Sequence, residues 1–438
     1  MGREIIVGLH FYQPPREAFH SSLQDISTDS KNQNWTKIIE KQCYEPLAKI
    51  GILNKASFDI YQSLLLQLEK IDPKIASVYQ QSMKENGIGE SFIHPILPDL
   101  SLSDKSIVIS AGVHRFKEIT GISPKIFWPP ETAIDKETLE VLVNNGYQGF
   151  ICAPEQVIQF DGQRSDNSPT LIKLNRGREI IAYPFDRSIS SNLAFDPKKN
   201  ADIFTQMYIN PIKEKISSNK LIIAWTDAET FGHHFKYGDK FLSYLLDTSL
   251  PNSGLYPVSI NDIKFDYSKL FTGKIIERSS WSCPHGNLIR WNGVCGCSSG
   301  NDSSWKQPFM ETMRFLNNQI SLILKQEIGN GYEQLIAENF YHLYGQSIES
   351  NNLFDNLIRA KISSLVAQTS CATFFSNPDV SAKINLLYAY QALLYLKESG
   401  LSRLVHELET VFINKLNSIY FSSVNSTAFS VLEKMLHQ

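Results

Sequence analysis

Ala224-Trp225-Thr226-Asp227-Ala228-Glu229-Thr230-Phe231-Gly232-His233-His234 directly follows the apolar run Leu221-Ile222-Ile223. A short β-branched run that breaks into acids, glycine and paired histidines reads as a buried strand whose end enters an open site. Lys125-Ile126-Phe127-Trp128-Pro129-Pro130-Glu131 has the same design, a strand-like run closed by two prolines and a carboxylate. Two carboxylates at the ends of two different strands are what a barrel glycosidase needs.

Outward from these stretches, short apolar runs alternate with helical patterns. Ile5 to Phe11 reads as a first strand, stopped by Pro14 and Pro15. Residues 34 to 86 read as mainly helical, with Leu64, Leu65, Leu68, Ile71 and Ile75 at helix spacing and a fresh start at Asp72-Pro73. Phe92 to Pro98 then places His94 between an apolar run and a proline turn. Helices are expected over 104–120, 135–145 (ended by Gly146), 200–217 and 238–247, and strands over 126–128, 149–152, 179–184 and 221–225. This rhythm is that of βα units around a parallel sheet, and the polar residues keep falling just after strands, where a (β/α) barrel puts its active site.

After Tyr256-Pro257-Val258 the rhythm changes to a loop rich in Trp, Cys, Gly and Ser, and from about residue 308 the pattern is helical. The expected organisation is a barrel over 1–277, a site loop over 278–307 and a helical unit over 308–438.

The 438 residues are 42% hydrophobic and 20% charged, enough for a large core. The 42 basic and 45 acidic residues are mixed along the chain, so a polyanion such as nucleic acid is not an expected partner. No apolar run approaches the roughly 18 residues of a membrane span, and the N-terminus turns polar before a signal-peptide core forms, so no membrane association and a cytoplasmic location are expected. The six cysteines do not suggest a disulfide framework, but Cys283, Cys295 and Cys297 cluster.

His10-Phe11-Tyr12-Gln13-Pro14-Pro15 resembles the first signature of glycoside hydrolase family 57. His94 with Pro95 and Pro98 resembles its second, Trp128-Pro129-Pro130-Glu131 its third, Asp227 to His234 its fourth, and Ser280-Trp281 with Trp291 its fifth. Trp281 to Gly286, Cys295-Gly296-Cys297 and Thr369-Ser370-Cys371 look like a subgroup with a Cys-rich loop and a helical C-terminal unit. The resemblance implies an α/β fold, an incomplete (β/α)7 barrel with a C-terminal helical domain. It also implies retaining chemistry on α-glucosidic bonds, with Glu131 as nucleophile and Asp227 as acid/base. Tyr12 stands where many members carry a second histidine, and Pro129 where they carry leucine.

Retaining hydrolysis pairs an ionised carboxylate with a protonated one about 5–5.5 Å away. Glu131, fixed by two prolines, suits the first role, although a Glu after Pro-Pro is also an ordinary helix N-terminal acid. Asp227 suits the second, with Trp225 and Phe231 as an apolar wall that raises its pKa. Glu229 would share a face with Asp227 if the strand continues, to tune it or bind a hydroxyl. Candidate sugar contacts are His10, Gln13, His94, Trp128, Glu229, His233, Trp281, His285 and Trp291.

Cys283, His285, Cys295 and Cys297 offer four soft ligands that could bind zinc, or else form a packed loop with reduced thiols. The expectation is a carbohydrate substrate with no cofactor and no metal centre. Two other functions stay open: a metal-dependent sugar hydrolase or deacetylase using His10, His94, Asp227 and His233 or His234, and a non-catalytic glycan-binding protein.

Overall fold

A computed structural model of the chain describes residues 3–23, 34–160, 167–196, 200–215, 221–264, 270–283, 285, 287–295, 302–345 and 352–437. The chain divides into two compact units. The first comprises Met1–Gln13, Trp35–Phe92 and Gly112–Trp281, the second Pro14–Asn34, Ile93–Ala111 and Ser282–Gln438.

In the first unit, β1 (Arg3–Phe11) lies between β2 (Ser57–Ile60) and β6 (Ile222–Asp227), all three parallel. Parallel bridges Phe58↔Gly87 and Gly89↔Phe127 carry the ring through the extended segment 87–89 to β3 (Ile126–Phe127). From there it continues in parallel to β4 (Gly149–Cys152) and β5 (Glu179–Pro184). Seven segments therefore make the barrel, as the family resemblance implied. The ring is incomplete for a visible reason: the outer edge of β5 pairs with the antiparallel strand Thr170–Lys173, so β5 reaches β6 through the bond from Asp186 N–H to the Ile223 carbonyl, 2.7 Å, rather than through a ladder.

Side chains alternate across each strand. Ile5, Val7, Leu9 and Phe11 of β1, Phe58 and Ile60 of β2, and Ile222 and Ala224 of β6 join the core beneath the helices. Ile6, Ile223 and Trp225 join Ile126, Trp128, Ile151, Ile181 and Tyr183 in the barrel interior. By the same alternation His10, Asp59 and Asp227 occupy interior-facing positions at the carboxyl ends of β1, β2 and β6.

β2 lies inside the stretch read from sequence as mainly helical. Its four residues, Ser-Phe-Asp-Ile, carry an acid where a buried parallel strand ordinarily carries an aliphatic residue, so no apolar run marked it.

The second unit is helical, with Lys306–Glu327, Tyr332–Leu343, Leu353–Val366, Pro378–Glu398, Ser402–Asn417 and Ala428–Leu436 as its longer elements after residue 300. Leu353–Val366 is buried almost all round from Asn356 onward, as a central helix must be. Its Lys361 is fully buried and is satisfied by Asp104 at 2.5 Å, Asn317 at 2.7 Å and Ser321 at 2.6 Å.

The division differs from the expected ranges 1–277, 278–307 and 308–438. The boundary falls after Trp281, and residues 14–34 and 93–111 join the helical unit. Long-range bonds invisible to local patterning make that assignment, among them Phe19 N–H to Gln391 Oε1 at 2.8 Å and Ser370 N–H to the His94 carbonyl at 2.8 Å.

Gly8 stands opposite Trp225 in the β1–β6 register, and a Cβ there would lie 2.0 Å from the indole. Gly8→Ala is therefore expected to lower stability by about 1–3 kcal/mol through overpacking of the barrel interior. A urea midpoint equal to that of the parent protein would contradict this account of the interior.

Candidate active site

Register brings the first polar groups together. His10 is paired across the sheet with Asp59 on one side and Asp227 on the other, at the carboxyl rim where a (β/α) barrel presents its chemistry. His10 Nδ1 lies 2.6 Å from Asp59 Oδ2, and both residues are buried. Burial opposes the imidazolium, but the charge and hydrogen bond of Asp59, with smaller contributions from Asp227 and Glu229, outweigh it and raise the His10 pKa to about 9. Burial also raises the Asp59 carboxyl, with the His10 charge pulling the other way. The short contact favours the ion pair at neutral pH.

Asp227 ends β6 one interior layer above Trp225. Its side chain keeps exposed surface, with protein packed around the carboxyl. That surrounding protein raises its pKa, while His10 and His234 act to lower it.

Glu131 follows Trp128-Pro129-Pro130 in a short 3-10 turn, with φ 56° and ψ 20°. A left-handed conformation at a non-glycine residue is strained and persists only where its surroundings enforce it. Three contacts do so. Ser280 Oγ donates to the Glu131 carbonyl at 2.8 Å, Trp281 N–H to Thr132 Oγ1 at 2.8 Å, and the Trp281 indole N–H to Glu131 Oε2 at 3.3 Å. Glu131 is half-buried. Trp128 links the two carboxylates' surroundings: its ring stacks on His10 at 5.0 Å and on Trp225 at 5.5 Å, and meets Trp281 edge-on at 5.2 Å.

Glu229 lies beyond the strand end, in the turn Ala228–Thr230, rather than on a continued β6. Tyr44 O–H donates to its Oε1 at 2.5 Å, and Gln13 Nε2 donates to the Tyr44 oxygen at 3.1 Å. Burial, then the nearby Asp227 charge, raises Glu229 to about 7. His233 is half-buried and bonded through Nδ1 to Gln42 Oε1 at 2.7 Å, and His234 is exposed.

Trp128 has no exposed surface, which corrects its reading as a sugar contact: it packs between rings instead. His94, Trp291 and His285 belong to the second unit. His94 is 2% exposed and bonded to Ser370 Oγ at 2.8 Å, and Trp291 is 1% exposed, so both present almost no surface to a sugar. His285 is exposed. Among the described residues, two sets of three metal-type donors lie within 4.8 Å of one another: Cys283, His285 and Cys295, and Glu40, Glu45 and Asp72. Lys41 sits against all three acids of the second set. None of His10, His94, Asp227, His233 and His234, the donors of the deacetylase alternative, belongs to either set found among the described residues. Cys297 lies outside the described residues.

Sequence reasoning missed Asp59, Tyr44 and Tyr61. A lone acid between Phe58 and Ile60 was the available signal for Asp59, and Tyr44 carried none. The buried Tyr61 phenol, raised by burial, also feels the charges of Asp59, Glu90 and Glu131.

A family model described as glycosyl hydrolase family 57 matches residues 10–262, more than half of the chain. The chain belongs to glycosyl hydrolase family 57. Solved structures of similar fold include an exo-type maltose-forming amylase from Pyrococcus sp. ST04, 19% identical over 95% of this chain and 83% of that one, with a TM-score of 0.74. A GH57-type branching enzyme from Pyrococcus horikoshii is 14% identical over 100% and 95% of the two chains, with a TM-score of 0.62. The α-amylase AmyC from Thermotoga maritima is 14% identical over 94% and 97%, at 0.58. A search of curated proteins finds no match. The family match classes the chain with the glycosyl hydrolases. No helix among the described residues is long and apolar enough to cross a membrane.

The His10 proton gives a testable sign. The unfolded imidazole releases it near 6.5 and the folded one near 9, so the folded state binds more protons between those values and stability falls as pH rises through that window. Asp59→Asn is expected to bring the His10 titration, followed by NMR, down toward or below 6.5 and to flatten that slope. A titration that stays near 9 would contradict the pairing.

Proposed function

We propose that Glu131 is the nucleophile and Asp227 the acid/base of a retaining reaction on an α-glucan. The observation that supports this most is the run of contacts along one wall, from Asp227 through the His10 register position and Trp128 to Trp281, whose indole N–H points at Glu131.

In the first step the Glu131 carboxylate attacks the anomeric carbon as the glycosidic C–O bond breaks, and Asp227 gives its proton to the departing oxygen. In the second, the Asp227 carboxylate takes a proton from water or from a sugar hydroxyl, whose oxygen attacks the anomeric carbon and releases Glu131. Water gives hydrolysis and a sugar hydroxyl gives transfer. The two carboxyls must differ in protonation, and their surroundings differ in the required sense. Glu131 receives an N–H donor, which favours the anion. The protein packed around Asp227 raises its carboxyl toward the protonated form. His10, held as a cation by Asp59, limits that upward drift.

Glu131→Gln and Asp227→Asn are each expected to lower turnover of an α-glucan by about 10²–10⁴-fold or more. With an α-glycosyl fluoride, whose leaving group needs little acid assistance, the Asp227 variant should regain turnover in azide and yield the α-glycosyl azide. Glu131→Ala should give the β-anomer instead. Unchanged turnover in Glu131→Gln, or the same anomer from both variants, would remove these roles.

A further inference from the structure

Cys283, His285 and Cys295 bring two sulfur atoms and one imidazole nitrogen within 4.8 Å of one another. Cys295 Sγ and His285 Nδ1 are 3.4 Å apart. Tetrahedral zinc with Zn–S of about 2.3 Å and Zn–N of about 2.0–2.1 Å requires its sulfur and nitrogen ligands to be separated by about 3.5 Å. We infer that these three side chains form a binding site for a thiophilic divalent cation of the zinc class, with a fourth coordination position beyond them.

The chemistry of the donors favours this reading over a disulfide or a packed thiol pair. Cys283 and Cys295 are thiols, both buried, and the third corner is an imidazole, which takes no part in a disulfide. Two thiolates with one imidazole are the donor set that selects zinc over hard cations such as magnesium or calcium. The carboxylate set Glu40, Glu45 and Asp72 lacks this character and already holds an ammonium group. The exposed edge of His285 leaves the site open for a metal to enter.

The surrounding chain is built to be clipped. Between the two cysteines it folds back through one helical turn, Ile289–Asn292, and buries Leu288 and Trp291. Asn287 and Leu288 both have positive φ, a pair of conformations that an unanchored segment would relax. Arg290 donates to the Ser282 carbonyl at 2.9 Å and lies 4.2 Å over the Phe374 ring, and Lys306 donates to the Arg290 carbonyl at 2.8 Å. A metal at the cysteines would close this fold-back and hold Trp291 in its packed place, a structural rather than a catalytic role.

Metal analysis of the intact protein, purified without chelators and re-equilibrated with zinc, is expected to find about one zinc per chain. Replacement by Co²⁺ should produce the near-ultraviolet band of cobalt–thiolate bonds and visible bands of tetrahedral intensity. Cys283→Ser and Cys295→Ser should lose both metal and bands, and His285→Ala, at an exposed position, should weaken metal retention while leaving the fold intact. Cys371→Ser should keep them. A zinc-free protein whose Cys283 and Cys295 are found joined as a disulfide by mass spectrometry would overturn the site. So would Co²⁺ spectra lacking thiolate bands, or full zinc retention in both Cys283→Ser and Cys295→Ser.

Discussion

A buried imidazole pinned between acids is the interaction on which the rim of this barrel depends. His10 cannot carry a proton at its depth without Asp59, and Asp59 cannot remain ionised there without His10, so each makes the other tenable. The pair sits in one row with Asp227 because β2, β1 and β6 are parallel and in register. A slip of one residue in either ladder would turn these polar groups out of the barrel and bring Leu9 or Phe11 inside. Strand register is thus the link between fold and chemistry.

The second carboxylate is held by different means. Glu131 occupies a strained backbone position after two prolines, and the segment Ser280–Trp281 locks it there through two main-chain contacts and the indole. Strain of this kind costs on the order of 1–3 kcal/mol, which the aromatic packing of Trp128 against His10, Trp225 and Trp281 is large enough to sustain. The same Trp128 separates the charged rim from the apolar barrel interior. Its lack of exposed surface makes it a support for the site rather than part of the surface offered to a sugar.

Much of this was legible in the chain because the strands that end at Phe11, Phe127 and Asp227 are short apolar runs that break abruptly into polar motifs. The barrel, the helical unit and the two acids follow from those breaks and from the family resemblance, and the family match over residues 10–262 supports the same class. What stayed hidden is what local patterning cannot carry. Ser57–Ile60 lacks an apolar run because its third residue is the acid that holds His10. The segments 14–34 and 93–111 join the helical unit through partners hundreds of residues away. Glu229 leaves the strand because β6 ends at Asp227 and the chain turns, a change that a two-residue spacing does not announce.

The account stands on Glu131 as the residue that carries the sugar. Incubation with a slow 5-fluoroglycosyl fluoride of α configuration, followed by peptic digestion and mass spectrometry, tests this directly. A covalent glycosyl adduct on the peptide containing Glu131, assigned to that side chain by fragmentation, is the predicted result. An adduct on any other residue, or conversion of an α-glycosyl fluoride to a β-configured product, would contradict it.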